Sequence, residues 1–377
     1  MKRTALFFAA ALLASGLRAQ TPPPKEDPDI KQGREGHAEL LKSGIKLLSD
    51  PILQARVEKI GKKLSEIVNV TPISATYGTE NKTKFEYKFF LVDDKDINAF
   101  SLPGGYIYLN KGLLSYVQSD DELAGVLGHE IVHAAHHHVA RLQKEQGKLN
   151  TQMALGALVA ILARVPGNDT GNLLQGFQLV ALQKVSGYSQ NAERDADHGG
   201  VILTQKAGYN PVGLLTFMER LERDRKLRPD IDLGIFRTHP PEQERANNMT
   251  AQIAALGLPI NRRDTTTMLK VTVRDPASGP SLGESTHDVL LDGKLFFRAP
   301  NPERARSVAE ALNLSLNRPL QLYDLSRRGP SVTVKGQLVL TVGTEEAKLP
   351  ATPDSAAEIA LKTLRSAVYR YILEGVY

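Results

Sequence analysis

Apolar residues at Leu53, Val57, Ile60, Leu64 and Ile67 recur every three or four positions, the period of one helical face. Asp50 stands where a side chain can cap that helix, and Pro51 suits its first turn. A shorter helix is expected before it. "KFEYKFFLV" (84–92) and "GGYIYLN" (104–110) are rich in aromatic and branched residues and predict strands joined through "DDKDINAFSLP". The strongest helical signal starts at Ser119, with Glu122 three residues on and Asp120 and Asp121 in the first turn, and runs to Lys148. "MALGALVAILARV" (Met153–Val165) is too short for the roughly 20 apolar residues of a membrane span, and reads as a buried helix or a lid. Another helix is expected from Ala192 to Lys206, closed by "AGYNP". Beyond Thr265 the pattern changes to short strands with "LDGK" as a hairpin turn, plus helices at Pro302–Leu312 and Ser355–Leu373, without a visible repeat.

These elements predict an α+β protein. A mostly helical domain at 29–260 carries a small β-hairpin, and a small α/β domain of unknown role follows at 265–377. A chain of 377 residues, 41% of them hydrophobic, can fill two such cores. The start, "MKRTALFFAAALLASGLRAQ", has a basic end, an apolar run and small residues before Gln20, the pattern of an export signal over residues 1–19. A Pro-rich leader at 20–28 would follow. Losing Lys2, Arg3 and Arg18 lowers the net charge from +5 to +2, and no basic run suggests a nucleic-acid partner. Cysteine is absent, which excludes disulfides and thiolate chemistry.

Five of the 9 histidines lie within "GHEIVHAAHHHVAR" (128–141). On a helix, His129 and His133 share a face, and Glu130 flanks it closely enough to reach a water on an ion held there. This is the H-E-x-x-H arrangement of zinc hydrolases, in which zinc activates water and the glutamate is the general base. If the helix is continuous, His138 falls about 180° from His129, and His136 lies about 10 Å further along the axis. The third ligand must therefore come from elsewhere. In "YSQNAERDADHGG", Glu193 and Asp197 are four apart on one helical face. Glu193 is assigned as the third ligand of one zinc ion (Zn2+) per chain, and Asp197 as the acceptor that orients a ligand histidine. Asp195 and His198 are expected to point away. In "RTHPPEQER", His239 could donate to a developing oxyanion or cap the metal, and Arg245 could pair with a carboxylate.

"HEIVH", "YSQNAERDAD", "THPPEQER" and "NAFSLPGGYIYLNKGLL" together resemble, in order and spacing, the zinc metallopeptidases that include the CAAX-prenyl endopeptidases and HtpX. The likeness covers about Asp29 to Leu258 and is nearest to their exported, soluble, BepA-like branch. It implies a gluzincin endopeptidase with His129, His133 and Glu193 on zinc and Glu130 as base. It further implies that Gly104, Gly105, Tyr106, Ile107 and Tyr108 form the edge strand against which an extended substrate pairs. The expected function is hydrolysis of unfolded or misassembled envelope proteins in the periplasm, with peripheral contact to a membrane or to outer-membrane assembly machinery. The alternative is a peptide-binding chaperone or metal-binding protein on the same scaffold. His137-His138 stands where the family often has Arg-His, so the surroundings of the metal helix's second histidine are expected to differ.

Overall fold

The computed structural model describes residues 26–79, 84–145, 190–227, 234–235, 239, 244–275, 286–318, 320–344, 346 and 352–373. The expected export signal (1–19) and the lid candidate (153–165) lie outside the described residues. Among the described residues helices dominate, accompanied by three small sheets of three strands each.

Helix α1 (Pro28–Lys42) is capped by Asp27. In α2 (Pro51–Val70), the Asp50 carboxylate accepts from the amides of Ile52 and Leu53 at 3.0 Å, as its position before Pro51 implies. Val57, Ile60 and Leu64 face the core, and Leu53 and Ile67 flank it, half-buried.

The first sheet departs from the sequence expectation. β1 (Lys88–Val92) and β3 (Tyr106–Asn110) are parallel, and a strand the pattern did not predict, β2 (Ala99–Leu102), runs antiparallel to β3 on its other side. The order is β1-β3-β2, so Tyr106, Ile107 and Tyr108 occupy the central strand and not an edge. Gly104 and Gly105 precede it in a short 3-10 turn, at φ of 72° and 87°. Such backbone favours glycine, and a Cβ on Gly104 would also come within 2.7 Å of Ile30 Cα in α1. The physical reason for the central position is readable in hindsight. All five residues of β3 are buried, and an apolar run without alternation belongs to a strand covered on both faces.

After α3 (Lys111–Tyr116), the central helix α4 (Asp120–Ala135) is buried from Glu122 to Ala135. Ser119 Oγ caps the Glu122 amide at 3.1 Å, while the Glu122 carboxylate reaches back to the amide of Gln118. The helix does not continue to Lys148. It stops at His136, His137 takes a left-handed φ of 55°, and α5 (His138–Glu145) starts afresh. Helices α6 (Gln190–Lys206), α7 (Val212–Leu227) and α8 (Arg245–Ala255) complete this part, with α6 and α7 packed on α4.

The remaining chain is built twice from one plan, a repeat that the sequence pattern did not reveal. An antiparallel meander of β4 (Val271–Arg274), β5 (His287–Leu291) and β6 (Lys294–Ala299) leads into α9 (Pro302–Leu316). A second meander of β7 (Leu325–Arg328), β8 (Ser331–Val334) and β9 (Gln337–Thr341) is followed by α10 (Pro353–Leu373). Both close a hairpin with a left-handed residue and a glycine, Asp292-Gly293 and Lys335-Gly336, and both have a register shift two to three residues before that left-handed residue. One apolar cluster, running from Leu269 to Ile372, fills the space between these strands and helices. Arg262 ties this part to α7 through Glu219 at 2.8 Å, and the Tyr371 ring lies against the guanidinium groups of Arg223 and Arg263.

The α4–α6 contact is close because a glycine faces α4. A Cβ on Gly199 would lie 2.8 and 2.9 Å from the two methyl groups of Val132. Gly199→Val is therefore expected to destabilise the fold by about 1–3 kcal/mol, read as a lower urea midpoint at unchanged slope.

Candidate metal centre

Two residues one helical turn apart on α4 start the site. His129 Nε2 and His133 Nε2 lie 3.0 Å from each other. Helix α6 supplies Glu193, whose carboxylate oxygens are 3.5 Å from His129 Nε2 and 3.4 Å from His133 Nε2. His239 completes the group, with Nδ1 3.0 Å from Glu193 Oε1 and 3.4 Å from His129 Nε2. All four side chains are buried, and their donor atoms lie within 4.8 Å of one another. Donors that share a tetrahedral ion at about 2.0–2.1 Å stand roughly 3.3 Å apart. Separations of 3.0–3.5 Å, in a set of imidazoles and one carboxylate, fit a metal ion.

The surrounding charges hold that set in place. Asp197 Oδ1 lies 3.0 Å from His129 Nδ1. Arg245, at the start of α8, binds both oxygens of Asp197 at 2.7 Å and reaches Glu193 Oε2 with Nη1 at 3.0 Å. Burial opposes the charge on Glu193, but His239, Arg245 and the two α4 imidazoles outweigh it and hold the carboxyl well below its usual range. Burial pushes His133 well down, toward the neutral form a ligand needs. His129 and His239 move the other way. Burial disfavours their charge, yet Asp197 and Glu193 raise His129, and Glu193 and Glu130 raise His239 to about 10. The same negative potential that attracts these protons attracts a metal cation.

Glu130 follows His129 and is buried. Its Oε1 lies 3.3 Å from His239 Nε2, and among the described residues its Oε2 has no hydrogen-bond partner. His239 Nε2 also donates to the carbonyl of Ala99 in β2, at 3.2 Å. His129, Glu130, His239 and Arg245 form the polar wall of a cavity of about 20 Å³ whose apolar walls include Val126, Leu214, Phe217 and Leu221. The structure thus brings together His129, Glu130, His133, Glu193, Asp197, His239 and Arg245. It does not bring Gly104 to Tyr108 to an edge.

Sequence reasoning missed a second buried group. On continuous helices His138 and Asp195 are expected to point away and His136 to lie too far along the axis, but the break at His137 turns His138 toward His133, and Asp195 meets both His136 and His138. The available signal was the third acid in "ERDAD", since all three acids of that run are buried.

A helix bearing H-E-x-x-H, with a glutamate delivered by a second helix, defines a metallopeptidase of the gluzincin type. The sequence profile of peptidase family M48 matches residues 54–253, and the chain belongs to that family. It is 28% identical over 203 residues to the beta-barrel assembly-enhancing protease of Escherichia coli (strain K12), a match covering 54% of this chain and 37% of that protein. It is 31% identical over 219 residues to metalloprotease LoiP of the same organism, covering 57% of this chain and 82% of LoiP. With the mitochondrial metalloendopeptidase OMA1 of Arabidopsis thaliana it shares 33% identity over 168 residues, 45% of this chain and 32% of that protein. Among the described residues no helix is long and apolar enough to cross a membrane.

Arg245 is 3% exposed and faces two carboxylates. Removing one partner of a buried ion pair costs about 3–5 kcal/mol, because the other charges stay buried. Arg245→Met should lose stability on that scale in chemical denaturation with chelator present. A loss under about 1 kcal/mol would show that the pairing does not hold the acids in place.

Proposed function

We propose that this protein is an exported zinc endopeptidase acting on unfolded or misassembled proteins of the cell envelope, in the periplasm. The observation that carries the peptidase reading is Glu130 Oε2, buried and without a hydrogen-bond partner among the described residues, beside the converging donors of His129, His133 and Glu193. A carboxylate oxygen so placed is suited to take a proton from the attacking water and return it to the leaving amine. Zinc is the metal of choice because His129, His133 and Glu193 offer two imidazoles and one carboxylate; when bound, it would polarise the scissile carbonyl and make water acidic. His129, His133 and Glu193 would hold it. Asp197, anchored by Arg245, would fix the His129 ring.

His239 Nε2, held near Glu130 and Ala99, is placed to donate to the oxyanion as the carbonyl carbon becomes tetrahedral. An extended polypeptide would pair along β2, the outer strand packed against α4, since His239 already reaches its backbone. The envelope substrate and contact with outer-membrane assembly machinery rest on the similarity to the beta-barrel assembly-enhancing protease and on the signal pattern of residues 1–19. Residues 29–260 would form the peptidase unit, and 265–377 an accessory domain.

Purified protein should hold about one zinc, which His133→Ala loses. Binding of several equivalent ions would favour a metal-buffering protein instead. Glu130→Gln should keep the zinc while cleavage of unfolded casein falls about 10²–10⁴-fold, with chelator abolishing wild-type cleavage. Wild-type turnover in that variant would assign the base elsewhere. His239→Ala should keep zinc and lose about 10²–10³ in turnover. Faster cleavage would mean that the ring blocks the metal rather than serving the reaction.

A further inference from the structure

The buried trio His136, His138 and Asp195 lies outside the donor set just described, yet it touches it. His138 Nδ1 is 2.8 Å from His133 Nδ1, the nitrogen of that ring remote from His129 and Glu193. On an unbroken helix this contact could not form, because residues five apart point about 140° away from each other. The break makes it. His137 takes the left-handed conformation, its Nδ1 bonded to Asp29 of α1 at 2.5 Å, and α5 restarts with His138 turned back over His133.

Three side chains of this kind resemble a second metal site, and the carbonyl oxygens facing two of the ring nitrogens argue against it. Asp195 Oδ2 lies 2.5 Å from His136 Nδ1 and 2.9 Å from His138 Nε2, both hydrogen-bond lengths. His136 Nε2 faces the carbonyl of Ile73 at 3.0 Å. A carbonyl only accepts, so that nitrogen carries its proton, and Nδ1 is engaged by the carboxylate.

The protons can be followed through the remaining contacts. His138 Nε2 faces two acceptors, Asp195 Oδ2 and, at 3.3 Å, the carbonyl of Tyr77, so it is a donor. Its Nδ1 then presents a lone pair to His133, which donates from Nδ1. That leaves the His133 Nε2 lone pair directed at His129 and Glu193. Asp195 is itself fixed, its Oδ1 accepting from the Thr76 amide at 2.5 Å, the Thr76 hydroxyl at 2.8 Å and the Tyr77 amide at 3.2 Å.

We propose that His138 and Asp195 form a hydrogen-bonded relay that locks the ring and tautomer of His133 for the metal, with His138 as a positioning residue. The proposal rests on the reading of His133 as a ligand. The two ligand histidines are thereby held differently: His129 by a carboxylate directly, His133 by a carboxylate one imidazole removed. His136 and the loop at 73–77 keep that distant carboxylate aimed.

The test measures zinc affinity of the full mature chain by chelator competition, with stoichiometry by elemental analysis. Loss of a partner that orients a metal-bound histidine weakens affinity about 10–100-fold, and His138→Phe, which keeps the shape and removes both nitrogens, should do so. His138→Asn puts an oxygen close to the position of Nδ1 and should stay within about threefold of wild type. Wild-type affinity in His138→Phe, equal weakening in both variants, or a second zinc that His136→Phe removes would each overturn the relay. A measurement on the unaltered protein guards against variants that fail to fold. Nitrogen NMR of the zinc-loaded chain should show a coupling across the hydrogen bond from His133 Nδ1 to His138 Nδ1, and its absence would refute the proposal. If the wild type binds no zinc, or His133→Ala retains it, the site reading itself fails; if His133→Ala loses zinc and His138→Phe does not, only the relay fails.

Discussion

Arg245 spans two carboxylates of α6, and the arrangement of the centre depends on that pairing. Glu193 and Asp197 are buried within one helical turn of each other, where like charges in low dielectric repel strongly. A single planar guanidinium answers both, taking Asp197 through two hydrogen bonds and Glu193 through a third contact. With the acids fixed, each can serve a different atom: Glu193 the face shared by the α4 imidazoles, Asp197 the far nitrogen of His129. The close α4–α6 packing is the steric counterpart of this charge pattern.

The residues most legible in the sequence were those whose relations are local. His129, Glu130 and His133 follow from helical spacing, and Glu193 with Asp197 from the same rule on another helix. The Asp50 and Ser119 caps were legible for the same reason. What periodicity could not reveal were relations set by a break or by pairing between distant segments. One left-handed residue, His137, turned a residue placed on the far face into a neighbour of His133, and it is no glycine or proline that would announce a stop. β2 is only four residues long within a polar connector, and its presence made β3 central. The membership of β3 in the middle of the sheet was nevertheless written in the unbroken apolar run "YIYL".

The doubled β-β-β-α plan after residue 265 escaped detection because its two copies share positions of turns and apolar residues more than residue identities. Aspartate-glycine and lysine-glycine close equivalent hairpins, and different spacer lengths separate them from helices that both begin at a proline. Neither copy packs alone. α9 touches β9 as well as its own meander, and α10 lies on β5 and β6 as well as on β7 and β8. The two copies share one apolar cluster, so their stability is joint.

The wide separation of the centre's parts along the chain has a consequence for the order of events in folding. Contacting residues span 110 positions between His129 and His239, and 119 between Thr76 and Asp195, and Arg245 lies further still toward the C-terminus. A chain emerging from its N-terminal end exposes the histidine-rich helix first and the acids of α6 later, with their cation last of all. Until Arg245 arrives, those acids have no guanidinium to offset their desolvation, and water is the better solvent for them. Assembly of the centre is therefore a late, long-range closure with a high loop-entropy cost, and an early nascent chain holding only His129 and His133 has just two of the donors. Chain connectivity thus delays a hydrolytic centre until the surrounding domain is nearly complete.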